Sequence, residues 1–347
     1  MPIREVDFDT VLKDLLDNTK PFPPVHLYRF SDISPVDLKN LKEIWKKVDA
    51  ERRFTLLTDL EDLAEADTTM LFDDIAIFAI KDPDARVRAV GIRLLNEYDR
   101  VNLIPRIIEI MEGDPDETVR AAAASNLGHY LFMGEMEEIP AEFAQQVLDA
   151  LKKVYNSKDT ELVRRRALES LGFATDPEAS VMIKESFDSN KRDWIISALF
   201  AMGRSATSEW TQIVIQKIDD DDPEILFEAV RAAGELSIQE ARDSLVSMVE
   251  EGIDDSVLRG AVAWALSQIG GENVLETLNQ MLEDAEDDDE AVFIEEALEN
   301  LDFTNELEKF SLLDIDSAGE VDLSNVVDLS DLEEEDGDLK IDLDDIK

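Results

Sequence analysis

The string Asp114-Pro115-Asp116-Glu117-Thr118-Val119-Arg120-Ala121-Ala122-Ala123-Ala124-Ser125-Asn126-Leu127-Gly128 recurs along this chain in drifting copies. Residues 159–172 read D-T-E-L-V-R-R-R-A-L-E-S-L-G, and residues 222–236 read D-P-E-I-L-F-E-A-V-R-A-A-G-E-L. Asp82-Pro83-Asp84 with Val87-Arg88 opens another copy, and Asp255 with Leu258-Arg259 and Gly270 one more. The copies recur roughly every 31 to 44 residues. Self-similarity at that period restricts the chain to a stack of small supersecondary units. Each copy begins as a helix begins. Aspartate accepts hydrogen bonds from the first free N–H groups, and proline is tolerated in the first turn. Val163, Ala167 and Leu171, like Ile225, Ala229 and Ala233, then fall four residues apart on one buried stripe. Gly128, Gly172, Gly203 and Gly234 fall near the expected helix ends, where a left-handed cap is wanted.

A second helical pattern follows each copy, at 103–111, 141–154, 179–187, 209–218, 239–250 and 274–282. One such pair cannot bury its core alone, so the pairs must stack. The expectation is an all-α, α-α superhelical solenoid of about seven to eight helix pairs over residues 38–303. Residues 1–37 are expected to form an N-terminal cap: an amphipathic helix with Phe8, Val11, Leu12, Leu15 and Leu16 on one side, then a linker extended by Pro21, Pro23 and Pro24. Ser34-Pro35 reads as the entry to the next helix. Residues 134–140 lengthen the third unit, as a binding insertion or as a tolerated loop. From Thr304 the helical period fades into short acidic-apolar beats, so residues 304–347 are expected to be a disordered acidic tail.

The D-x-x-x-V-R-x-x-A-x-x-x-L-G strings resemble the HEAT repeat, in the short form related to phycobilisome-lyase-type repeats. The resemblance is clear over residues 82–301 and weak over 38–80. The blocks Leu27-Tyr28-Arg29-Phe30-Ser31-Asp32, Arg164-Arg165-Arg166-Ala167 and Ala201-Met202-Gly203-Arg204-Ser205 are similar to a bacterial group of such proteins for which the resemblance implies no activity. It implies the fold and a protein-binding scaffold, and no catalytic residue. Some HEAT-like proteins are di-iron hydroxylases with repeated His-Glu pairs. Here the two histidines, His26 and His129, precede leucine and tyrosine, so that chemistry does not carry over.

Composition narrows the function further. There is no cysteine, which excludes disulfides and thiolate chemistry. No apolar run is long enough to cross a membrane, and no signal pattern opens the chain, so a cytoplasmic protein is expected. The net charge is −48, of which residues 304–347 carry −13 from 16 acidic and three basic residues, leaving −35 for the rest. Such a surface repels a phosphate backbone and suits a basic protein partner. The expectation is therefore a non-enzymatic scaffold or adaptor with no cofactor, no metal and no nucleic acid. The alternative is a regulatory or accessory subunit acting on an enzyme or cofactor-bearing protein.

Candidate binding residues are few. Arg88, Arg120, Arg164 and Arg259 share one repeat position and resemble a ladder that pairs with the turn aspartate of the neighbouring unit. Beyond it, Arg165, Arg166, Lys191, Arg192 and Arg204 are the densest basic group, with Trp194 and Trp210 nearby. They form an aromatic-basic partner site if adjacent units align, since Arg and Trp commonly anchor interfaces. Equally, the tryptophans are core and the arginines balance nearby carboxylates. Asp219–222 and Asp287–289 read as solvated turns rather than cation sites. The segment from Asp314 begins like a calcium loop but has Asn325 where a bidentate glutamate belongs.

Overall fold

The computed structural model describes residues 6–285 and 287–314. Seventeen α-helices account for about two thirds of them, and there is no strand among the described residues. After α1 (Phe8–Leu16), the helices form eight antiparallel pairs. An outer helix leads each pair: α2 (Pro35–Ile44), α4 (Asp73–Ala79), α6 (Ile104–Gly113), α8 (Ala141–Tyr155), α10 (Pro177–Asp188), α12 (Thr211–Ile215), α14 (Arg242–Glu251) and α16 (Val274–Glu283). An inner helix answers: α3 (Ala50–Ala66), α5 (Ala85–Arg93), α7 (Glu117–Glu135), α9 (Glu161–Leu171), α11 (Arg192–Arg204), α13 (Pro223–Glu235), α15 (Ser256–Ile269) and α17 (Asp288–Asp314). The aspartate turn therefore lies inside each hairpin, not at the start of a unit. Where an outer helix is short, a 3-10 turn extends it, as Ser208–Trp210 does before α12.

The capping chemistry works as the composition of the turns demands. Asp84, Asp116, Asp222 and Asp255 each accept a backbone N–H of the first helical turn, and Ser34 accepts the N–H of Asp37. In Asp-Pro-Asp turns it is the second aspartate that caps. The first, Asp82 or Asp114, faces the preceding unit. The buried stripe is continuous from Phe8 to Leu301.

Gly128, Gly172, Gly203 and Gly234 are not left-handed caps, whereas Gly270, closing α15, does have a positive φ of 64°. Gly172 has φ −57°, and a Cβ there would stand 2.5 Å from the carbonyl oxygen and 2.7 Å from the Cα of Ala201. Gly128, Gly203 and Gly234 likewise mark the crossing of one inner helix over the next. Positive φ occurs instead after the helix, at Ala206 and Ser237, both 47°. The reason is spacing: the inner helices must touch backbone to backbone, and only glycine allows it. The layer that approaches most closely is the shorter one, so the inner helices line the concave side.

At the N-terminus α1 buries Phe8, Val11, Leu12 and Leu15 against the first pair. The proline-rich segment is not extended throughout: Pro24–Phe30 forms a 3-10 helix that buries His26 and Phe30, with Phe8 and Phe30 edge to face at 5.7 Å. Of the extra residues of the third unit, Gly134 and Glu135 close α7, with Gly134 packed on Ala144, and 136–140 form the loop into α8. At the other end the helical period does not stop at Thr304. Helix α17 continues to Asp314, and the rest of the acidic tail, with nearly all of the calcium-like string, lies outside the described residues.

Candidate functional site

The arginine ladder runs along the turn edge of the stack. Arg88 Nε and Nη2 donate to both carboxylate oxygens of Asp114, at 2.8 and 2.7 Å. Arg120 does the same to Asp159, at 2.9 and 2.6 Å. This holds the Asp159 carboxyl below its ordinary range. Each arginine also donates to a carbonyl of its own turn, Asp82 for Arg88 and Asp114 for Arg120. Arg53 forms an earlier rung on Asp82 that the repeat string does not reveal. The ladder then breaks. Arg164 donates to the Tyr155 carbonyl and lies over the Trp194 ring at 5.1 Å. Arg259 pairs with Glu290, in the first turn of α17, rather than with a turn aspartate. These are structural contacts, and they consume the charges involved.

The basic-aromatic group resolves in the same way. Trp194 and Trp210 are 5% and 4% exposed. Trp194 stands edge to face with Tyr155 at 5.9 Å and donates to Glu161. Every cation of the group has a carboxylate. Arg165 meets Asp193 at 3.6 Å, and Lys191 meets Glu161 at 3.4 Å. Arg192 holds Asp222 at 2.5 Å and Glu224 at 3.1 Å. Arg166 pairs with Glu169, and Arg204 meets Glu235 at 3.4 Å. Arg165, Arg166 and Arg192 do converge on one cavity of about 400 Å³, but Glu169, Asp193, Glu224 and Glu228 line it too. Lys191 is exposed at the edge, and Arg204 sits further along the concave face.

That face holds what the sequence reading missed. Six consecutive inner units each present an aromatic ring to it: Phe132 of α7, Phe173 just after α9, Phe200 of α11, Phe227 of α13, Trp264 of α15 and Phe293 of α17. None is core; Phe132 is 45% and Phe293 40% exposed, and the others are half-buried. Phe132 and Phe173 stand edge to face at 5.8 Å. The Arg204 guanidinium lies over both Phe173 and Phe200, at 5.4 and 5.2 Å, and Arg231 lies 4.3 Å from the centre of Phe200. Two further cavities, of about 400 and 810 Å³, meet at Arg204 to make one groove. The signal for it was a step of 27 residues from Phe173 to Phe200 to Phe227, set against the 31-residue step of the glycines. The mismatch moves the ring about one helical turn per unit, so the stripe crosses the groove diagonally.

Three glutamates sit beneath the rings. Glu169 is buried and accepts from Ser197 Oγ at 2.7 Å. Glu235 pairs with both Arg204 and Arg231. Burial pushes the Glu228 carboxyl up, with Glu169 and Glu235 adding to the rise, while Arg231 opposes it at 2.9 Å. His129 meets Asp99 at 2.9 Å at the groove's N-terminal end. Among the described residues no group of three or more His, Asp or Glu side chains is placed to hold a metal.

Such a surface, with rings and arginines side by side, can bind. A family model for HEAT repeats matches residues 73–172 and 211–299, more than half of the chain. The chain belongs to the HEAT-repeat family. No curated protein matches it. Among solved structures it is similar to the complex of CpcE and CpcF of phycocyanin lyase from Nostoc sp. PCC7120, at 15% identity and a TM-score of 0.51, covering 82% of this chain and 97% of that one. YibA of Escherichia coli follows at 15% identity and a TM-score of 0.42, covering 82% and 99%, and human deoxyhypusine hydroxylase in complex with glycerol at 14% and 0.33, covering 76% and 95%. At these identities the likeness to the first is one of fold. The HEAT-repeat stack makes this chain a helical repeat scaffold, and no helix of the described residues is long and apolar enough to cross a membrane.

Proposed function

We propose that this HEAT-repeat protein is a non-enzymatic protein-protein interaction scaffold, cytoplasmic, that binds its partner along the concave groove. The observation that carries the reading is the row of six half-exposed aromatic rings on six successive inner units. A solvated helix face has no need of them. Aromatic side chains beside arginine are common anchors of interfaces, and a rigid stack holds them at fixed spacing. The net charge of −48 favours a basic partner over nucleic acid. The group at Arg165, Arg166, Lys191, Arg192 and Arg204 belongs to the reading only as a charge-balanced margin of that groove, with Trp194 and Trp210 as its core support.

The alternative is an accessory subunit that acts on an enzyme or cofactor-bearing protein. Its support is that the first structural neighbour is a part of a lyase complex. Both forms require partner binding. The test is affinity capture from the source cells with three baits: the native chain, Phe173→Glu with Phe200→Glu, and Val181→Glu with Leu275→Glu on the outer helices. Loss of a captured protein with the groove bait alone is expected. Equal capture by all three baits refutes the groove.

A further inference from the structure

Most glycines inside the helices of this stack are there because nothing larger fits. A Cβ at Gly91, Gly128, Gly134, Gly203 or Gly234 would meet a neighbouring atom at 2.5 to 2.9 Å. Gly260, in the middle of α15, is different. A Cβ there would meet only the Phe293 ring, at 3.5 Å and beyond, which is ordinary contact. Glycine in a helix interior is less stable there than alanine. Packing does not demand that loss here. What Gly260 does is keep the floor of the groove's largest cavity open. That cavity, about 810 Å³, is walled by Phe227, Trp264 and Phe293.

Charge says what enters. The arginines that line the cavity are all engaged: Arg204 and Arg231 with Glu235, and Arg259 with Glu290. At its mouth Asp287 and Asp289 have no cation among the described residues. The mouth is thus short of positive charge in a chain already at −48. An acidic segment, the chain's own residues 315–347 included, would be repelled there.

We propose that the cleft over Gly260 is the seat of a basic partner segment, one large apolar side chain entering between Phe227, Trp264 and Phe293 while adjacent lysines or arginines meet Asp287 and Asp289. This rests on the groove as the binding surface and names what that surface selects. The occupant is a protein segment that alternates apolar and basic residues.

The test displays short random peptides on phage, selects them on the full-length chain, and measures the survivors on variants. Selected peptides should carry a leucine, methionine or aromatic residue beside two or more lysines or arginines. Gly260→Leu fills the cleft and should weaken them by at least about tenfold. Gly260→Ala should weaken them far less. Both variants should melt no lower than the native chain, which separates lost binding from lost fold. Asp287→Asn with Asp289→Asn keeps a side-chain acceptor for the Glu290 N–H that Asp287 takes at 2.9 Å, and should weaken binding severalfold. The proposal is overturned if no peptide is enriched, if the enriched peptides are acidic like residues 321–343, or if Gly260→Leu binds them undiminished. A cellular partner that Phe173→Glu with Phe200→Glu loses and Gly260→Leu retains would leave the groove standing and remove this seat.

Discussion

Asp114 joins two units through one carboxylate. It accepts the N–H of Asp116 at 3.0 Å, which shapes its own turn, and both donors of Arg88 from the unit before. Hydrogen bonds to charged groups contribute about 1.5–3 kcal/mol when little exposed, and Asp114 is only 10% exposed. Asp114→Ala should therefore cost about 2 kcal/mol in urea unfolding. Arg192→Ala should cost much less, because that pair is open to solvent; equal losses would mean the ladder is decorative. The glycines supply a second contrast. Gly172→Ala places a methyl group against the backbone of Ala201 and should destabilise by about 1–3 kcal/mol. Gly260→Ala should stabilise by about 0.5–1 kcal/mol. If both shift the melt in the same direction, the distinction between contact glycine and floor glycine fails. The caps and the rungs at Arg88 and Arg120 were legible in the sequence, because an aspartate turn and an arginine four residues on are local chemistry. The role of Gly172 was not. A glycine near a helix end reads as a cap unless the neighbouring helix is known to lie against it.

The inner helices carry both jobs of the element: one face closes the core, the other forms the groove. Binary pattern exposes the first face, since Val163, Ala167 and Leu171 must be buried together. The second is hidden by its own geometry. Phe173, Phe200 and Phe227 drift through the register one turn per unit, so no single repeat position shows an aromatic preference. Trp194 and Trp210 stand out in sequence instead because they lie beside the basic group and tryptophan commonly anchors interfaces, yet both are core. The groove also stores an unfavourable charge. Glu228 has its carboxyl raised above its ordinary 4.5, first by burial. A raised folded value contributes stability at low pH, and that contribution is lost as pH climbs through it. Glu228→Gln lacks the ionisation. Its melting temperature relative to the native chain should rise between pH 4.5 and 8. A gap that narrows over that range would show that Arg231 outweighs burial, and that the carboxylate is welcome in the groove.

At the scale of the whole molecule, two electrostatic effects oppose each other. Attraction is local: the rungs Arg53 to Asp82, Arg88 to Asp114 and Arg120 to Asp159 are short, paired and mostly shielded from water. Repulsion is global, because a chain with 82 acidic and 34 basic residues spreads its excess carboxylates over a long stack. Salt separates the two. Its screening length falls from about 30 Å at 0.01 M to about 8 Å at 0.15 M. Pairs at hydrogen-bond distance in part-buried settings are barely touched by that change, whereas carboxylates on successive units lose most of their mutual repulsion. Added sodium chloride should therefore raise the melting temperature by several degrees over this range and slow the association of a basic partner. A melting temperature that falls with salt would mean that the ladder and its exposed relatives outweigh the repulsion. The −48 charge would then be a property of the surface that partners meet rather than a load the fold carries.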